Sequence, residues 1–231
     1  MALSEQIARL AARGALVVLV VGPALCAAGL AAPMTGFAIF GLSLPLGLAA
    51  VVAGGVAMIG GHRQARRSLV LGLAALAVTV GAGGAGLGLP PINDITTDTA
   101  DPPAFAKVAE LEANHGRDMS YPGAEFADQQ TDAYPGLGSL LSDWPPGEAV
   151  AKVEAALLSM PRTDIITLDP AAGRIEATSS TRIFRFVDDV VVRVRAEGDG
   201  SRIDVRSKSR DGRGDLGANA ARIEALFGEL R

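Results

Sequence analysis

Gly61-His62-Arg63-Gln64-Ala65-Arg66-Arg67 separates the second of two long apolar runs from a third, and its reading decides where the rest of the chain goes. The first run, residues 15–32, follows a short amphipathic lead carrying Arg9 and Arg13. An uncharged turn, Pro33-Met34-Thr35-Gly36, leads into the second run at 37–60, and the third covers 69–89. At about 1.5 Å of rise per residue, each run spans or nearly spans a hydrocarbon core of roughly 30 Å. Buried soluble helices of such length rarely lack a charge, so the runs predict three transmembrane helices. Pro23 and Pro45 fall inside them, where neighbouring helices can satisfy the freed carbonyls. Both arginine clusters flank the runs while the intervening turn has no charge, and the positive-inside rule therefore places the clusters in the cytoplasm. The N-terminus is then cytoplasmic, and residues 91–231 lie outside the cytoplasm. In a bacterium this describes a periplasmic domain anchored in the inner membrane. Leu30-Ala31-Ala32 matches a signal-peptide cleavage site weakly, and Leu25 ahead of Cys26 argues against lipoprotein processing, so the first run is expected to be retained.

Composition sets further bounds. The average of 49% hydrophobic residues over 231 positions hides a division between an apolar N-terminal part and an ordinary polar remainder. A formal net charge of −4 is unlike the basic balance of a nucleic-acid binder. The single cysteine, Cys26, lies in the first run, so the polar part has no disulfide and no thiol chemistry. Gly81, Gly84 and Gly88 in the third run have small-residue spacing that lets helix backbones approach closely. Packing against the second run, with its Gly54 and Gly55, is the simpler use; a docking face for another membrane protein is the sharper one. The runs contain no ionisable side chain, which argues against an ion path through them.

The polar part reads as an arm and a domain. Residues 90–146 are punctuated by proline and glycine and predict an extended arm, with one short helix over 105–114. Helical spacing of Val150, Val153, Leu157 and Met160 predicts a helix over 147–160. Strands are expected at 163–168, 174–178, 183–186, 190–195 and 202–210, with Glu197-Gly198-Asp199-Gly200 as a hairpin turn. Ile223, Leu226, Phe227 and Leu230 predict a closing helix over 219–230. The fold class is thus three transmembrane helices followed by an α+β two-layer domain, an antiparallel sheet with helices on one face. On the last strand, Arg202, Asp204, Arg206, Lys208 and Arg210 alternate with Ile203, Val205, Ser207 and Ser209, so the charged set is expected to face solvent.

Several of these stretches together resemble a known family. Pro91-Ile92-Asn93-Asp94-Ile95-Thr96-Thr97-Asp98 with Asp101-Pro102-Pro103 is similar to the opening motif of the bacterial family called domain of unknown function 1499 (DUF1499). Ser179-Ser180-Thr181-Arg182, Asp188-Asp189-Val190, Ile203-Asp204-Val205-Arg206-Ser207 and Asp215-Leu216-Gly217 fit its later motifs. The resemblance covers most of residues 90–231 and implies a membrane-anchored member, but no activity.

One corner could carry a ligand. Arg206, Ser207, Ser209 and Arg210 end a strand, and a glycine-rich loop leads on to Asn219 and Arg222 on a helix start. Backbone N–H groups and arginines so placed suit an anionic small molecule or lipid headgroup. Against this stands a structural use, in which Asp188, Asp189, Asp204 and Asp215 pair with the arginines, Arg182 included, and Asp215 caps the helix. Gly212-Arg213-Gly214-Asp215-Leu216-Gly217 copies a dinucleotide-loop spacing, but it follows a hairpin strand and carries an acid that would repel a pyrophosphate. His62 and His115 stand apart, no metal-ligand spacing occurs, and no serine has an evident base. The expectation is a non-enzymatic module without cofactor or metal. Its partners would be membrane lipids and another integral membrane protein or complex, which it would serve as an accessory or scaffolding subunit.

Overall fold

Apolar side chains on most faces, over lengths set by a bilayer, produce the first part of the chain. In the computed structural model, which describes residues 2–86 and 88–231 (the Ala85 side chain excepted), this part consists of α1 (Leu3–Ala27), α2 (Pro33–Gly41), α3 (Ser43–Ile59) and α4 (Ala65–Gly83). Contacts divide the chain into two units, residues 1–87 with 182–185, and 88–181 with 186–231. Three helical spans in the first unit, 3–27, 33–59 and 65–83, are long and apolar enough to cross a membrane. Their limits differ from those expected. The amphipathic lead is continuous with α1, because Glu5 and Arg9 pair at 2.8 Å one turn apart and extend the helix past the charged residues. The turn after α1 falls at Ala28–Ala32, and Pro33, expected in that turn, opens α2 at the first helical position where its missing N–H costs nothing. The last helix begins inside the arginine loop and ends at Gly83.

Glycines set the close approaches between these helices, and of those anticipated only Gly54 is among them. A Cβ on Gly22 would strike the Gly36 carbonyl, and one on Gly72 would stand 2.9 Å from both the Gly47 carbonyl oxygen and the Ala50 Cβ. Gly54 faces Leu69, where a Cβ would meet the Leu69 Cβ at 3.1 Å. Around Gly55, Gly81, Gly84 and Gly88 nothing comes within 4 Å of such an atom, so these four hold no helix pair together in this structure. Ser43 and Thr79 share a buried 2.6 Å hydrogen bond between α3 and α4.

The second unit is a two-layer α+β domain. Its six-stranded antiparallel sheet comprises β1 (Asp94–Thr96), β2 (Leu140–Ser142), β3 (Thr163–Asp169), β4 (Arg174–Ser180), β5 (Val187–Glu197) and β6 (Gly200–Ser209). The order is β1-β6-β5-β4-β3, with β2 also on β6. β1 pairs with Arg206–Lys208 and β2 with Ser201–Ile203, so two short strands share one side of β6. The expected strand at 183–186 is instead a turn between β4 and β5, with Arg185 in the left-handed region at φ 62°. At the opposite edge, Ile166 is an extra residue in β3, a bulge that blunts a strand otherwise open to pairing.

Period-two alternation divides β4, β5 and β6 between two faces. Ile175, Val190, Val192, Val194, Ile203 and Val205 meet α6 (Pro146–Ser159) and α7 (Ala218–Glu229), whose Val153, Leu157, Ile223 and Leu226 complete the core. Each such side chain contributes about 1.5–3 kcal/mol when fully buried. The opposite face carries Glu176, Asp189, Asp204 and Arg206, none more than 1% exposed. Here the expectation of a solvated charged face is overturned: part of the arm covers it. The arm is structured, with 3₁₀ turns at Val108–Glu110 and Glu112–Asn114 where a single helix was expected, and with α5 (Ala124–Ala133) where none was.

Candidate functional site

The charged face is built from the centre of β6 outwards. Arg206 Nε and Nη2 each donate at 2.7 Å to the Asp94 carboxylate, and Lys208 Nζ donates to its Oδ2 at 2.8 Å. Arg206 also reaches the carbonyls of Pro103 and Met119, and its guanidinium lies 4.7 Å from the Phe105 ring centroid and 5.5 Å from that of Tyr121. A bidentate pair stacked on aromatic rings uses the planar fork as a lysine could not. Tyr121 is pushed up to about 12, by burial first and by the Asp94 charge second, with Arg206 opposing. Lys208, expected in solvent, is instead largely covered, because its partner Asp94 is fully buried.

Glu176 on β4 performs the same service for the arm. Its carboxylate accepts the backbone N–H groups of Ala106 and Val108, the latter at 2.8 Å, and Nε of Arg174 at 2.7 Å. Asp98 and Asp204 together accept from Arg193, Arg195 and Arg202 at 2.9–3.3 Å. Burial pushes the Asp204 carboxyl up, but hydrogen bonds from Ser139, Arg193 and Arg202 outweigh it and hold the group below the ordinary carboxylate range. Gln130 of α5 accepts the Thr96 N–H through Oε1 and donates to the Thr96 carbonyl through Nε2, so a side-chain amide stands where a neighbouring strand would be.

The arginine–serine corner separates across the sheet. Arg206 and Arg210 are on the arm face, whereas Ser207, Ser209, Asn219 and Arg222 gather on the helix face with Asp188. Ser207 Oγ donates to Asn219 Oδ1 at 2.6 Å, Asn219 Nδ2 donates to Ser209 Oγ at 2.9 Å, and Arg222 donates to both Ser207 Oγ and Asn219 Oδ1. Arg222 Nη2 pairs with Asp188 at 2.5 Å, yet burial still raises the Asp188 carboxyl above its ordinary range against that attraction. On the other face Asp189 holds Arg210 through both carboxylate oxygens, the shortest contact being 2.6 Å. Asp215 accepts the backbone N–H groups of Gly217 and Asn219 at 2.9 and 2.8 Å, supplying a negative charge at the start of α7. Arg182, expected among these pairs, makes no ion pair among the described residues and lies in the β4–β5 turn.

A cleft of about 250 Å³ opens beside the arm face, lined among others by Asn93, Asn114, Arg117, Asp189, Lys208 and Arg210. Asn114 is 2% exposed and donates to the Val108 carbonyl and to Asp189, while its Oδ1 has no hydrogen-bond partner. Both neighbours of Nδ2 are acceptors, so rotating the amide would only create two repulsions. Among the described residues no group of three or more His, Cys, Asp or Glu is placed to hold a metal ion.

A protein-family model described as "protein of unknown function (DUF1499)" matches residues 94–230. The chain belongs to the DUF1499 family. The match starts at Asp94, the acid at the centre of the buried face, and takes in the arm, the sheet and both packed helices. No curated protein and no solved structure gives a significant match. Asp94 and Asp98 stood inside the family motif, but nothing in their spacing pointed to basic partners 95 to 114 residues away. Glu176, Gln130 and Asn114 were missed for the same reason. The usable signal was the mixture of charge signs at successive same-face positions, such as Asp204 and Arg206, on a strand central to the sheet.

Proposed function

We propose that the protein is a non-catalytic module of the bacterial inner membrane, with its N-terminus cytoplasmic and its DUF1499 domain periplasmic. There it serves as an accessory or scaffolding subunit of a membrane protein complex. The observation that carries this reading is the internal pairing of Arg206, Arg210 and Arg222, each held by a buried or nearly buried aspartate. Guanidinium groups spent in this way rigidify a surface and leave no preformed anion site, which suits a rigid presenting domain. Placement of the arginines around the helices supports the orientation. The test introduces a photo-crosslinking residue at exposed Leu141 or Leu158 in the full chain within intact membranes. One reproducible heterologous membrane-protein adduct is expected; a chain that purifies in mild detergent as an uncrosslinked monomer sinks the proposal.

A second reading, binding of an anionic small molecule, is favoured by the basic side chains Arg117, Lys208 and Arg210 that line the cleft at Asn114. Phosphate and small carboxylates should then raise the thermal midpoint of wild type but not of Arg210→Ala. No ligand-dependent shift in wild type ends that reading.

A further inference from the structure

At the arginine-rich end of the first unit, α1 packs beside α4 and leaves a cleft of about 570 Å³. Its walls include Arg9, Arg13 and Leu16 of α1 and Arg67, Ser68 and Leu71 of α4. On each helix the arginine and the leucine are three or four residues apart, hence on one face, with the leucine a turn further into the apolar span. The cleft is therefore basic at its mouth and greasy below. Residues 1–89 hold five arginines against a single acid, Glu5, which pairs with Arg9 and lies 4.0 Å from His62. Arg13 and Arg67 have no ion pair among the described residues. A second cleft, of about 400 Å³ and lined by Arg63, Arg66, Arg67 and Leu71, adjoins the first.

We propose that this cleft is a binding site for an anionic glycerophospholipid. Arg13 and Arg67 hold the phosphate at the mouth, Ser68 donates a hydrogen bond to it, and an acyl chain lies along Leu16 and Leu71. The charge gradient along the cleft matches the amphiphile and matches no soluble anion, and basic pockets between membrane helices recognise acidic headgroups. The site is independent of the periplasmic role and of which side of the membrane the loop occupies.

The experiment uses the full chain in neutral detergent, titrated with phosphatidylglycerol, phosphatidylcholine or inorganic phosphate while thermal midpoint and native mass are followed. Phosphatidylglycerol is expected to raise the midpoint and to remain bound in native mass spectra. Phosphatidylcholine and inorganic phosphate should do neither. In R13Q/R67Q the apparent affinity should fall about thirtyfold, at roughly 1 kcal/mol for each lost cation, while exposed Arg213→Gln should leave it unchanged. Equal shifts for the two lipids, an equal shift with phosphate alone, or undiminished binding by R13Q/R67Q each overturn the site. If that double variant does not fold, lipid selectivity of wild type in the native mass spectrum decides alone, and its absence is equally fatal.

Discussion

Asp94 and Arg206 show how much can rest on one pair of side chains. Both are essentially inaccessible, so removing the acid strands a buried guanidinium rather than erasing an interaction. Asp94→Ala should cost about 3–5 kcal/mol in urea unfolding, whereas a joint exchange of Asp94 and Arg206 for apolar residues of similar volume should recover much of it. Asp204 carries a pH consequence. Its folded pKa is depressed, so its contribution is complete above the unfolded carboxylate value, near 4, and is lost as pH falls through the lower folded value. The stability gap between wild type and Asp204→Asn should therefore narrow as unfolding is repeated at decreasing pH below about 4. Asp188 has the opposite sign: its raised pKa makes the folded state gain on acidification, so the two aspartates partly offset each other.

Among elements, the arm and the glycine contacts decide most. Glu176 is fully buried and tied to the backbone of Ala106 and Val108, so Glu176→Ala should free that stretch before it harms the sheet. Hydrogen exchange should quicken at residues 106–110 while β5 and β6 amides stay protected. In the helices, Gly72→Leu should disrupt the pairing of α3 with α4 and lower the thermal midpoint in detergent, since a side chain there meets backbone; Gly84→Leu should leave it unchanged. Legibility was uneven at this scale. Helices α6 and α7 and strands β5 and β6 were plain because Val190, Val192 and Val194, or Ile223, Leu226 and Phe227, repeat at the period of their element. Helix α5 was not, because Ala124–Ala133 is short, carries a single large apolar residue, Phe126, and is anchored by one buried polar residue, Gln130. The covered charged face was illegible too: alternation says which residues share a face, and not whether an arm of complementary charge lies across it.

On the scale of the whole molecule, each unit has contacts of its own, and the domain has its own apolar core. Residues 88–231 expressed alone should therefore unfold in a single cooperative urea transition, observed alike by fluorescence of Trp144 and by circular dichroism. The same scale separates what the arginine–serine corner suggested from what the chain builds, because Arg206 and Ser207, neighbours in sequence, serve opposite sides of the sheet. A C-terminal reporter that fluoresces only in the cytosol should stay dark if the domain is periplasmic, and a bright signal would reverse the assigned orientation.

Strand β1 lies just beyond the apolar helices in sequence, yet its partner is the last strand of the sheet, β6, with Asp94 and Arg206 separated by 112 positions. During synthesis the earliest piece of the domain must then wait, unpaired, until more than a hundred further residues have been added. Loop closure over such a span is slow, which leaves an interval in which a chaperone or a neighbouring subunit could occupy the vacant edge of the nascent strand.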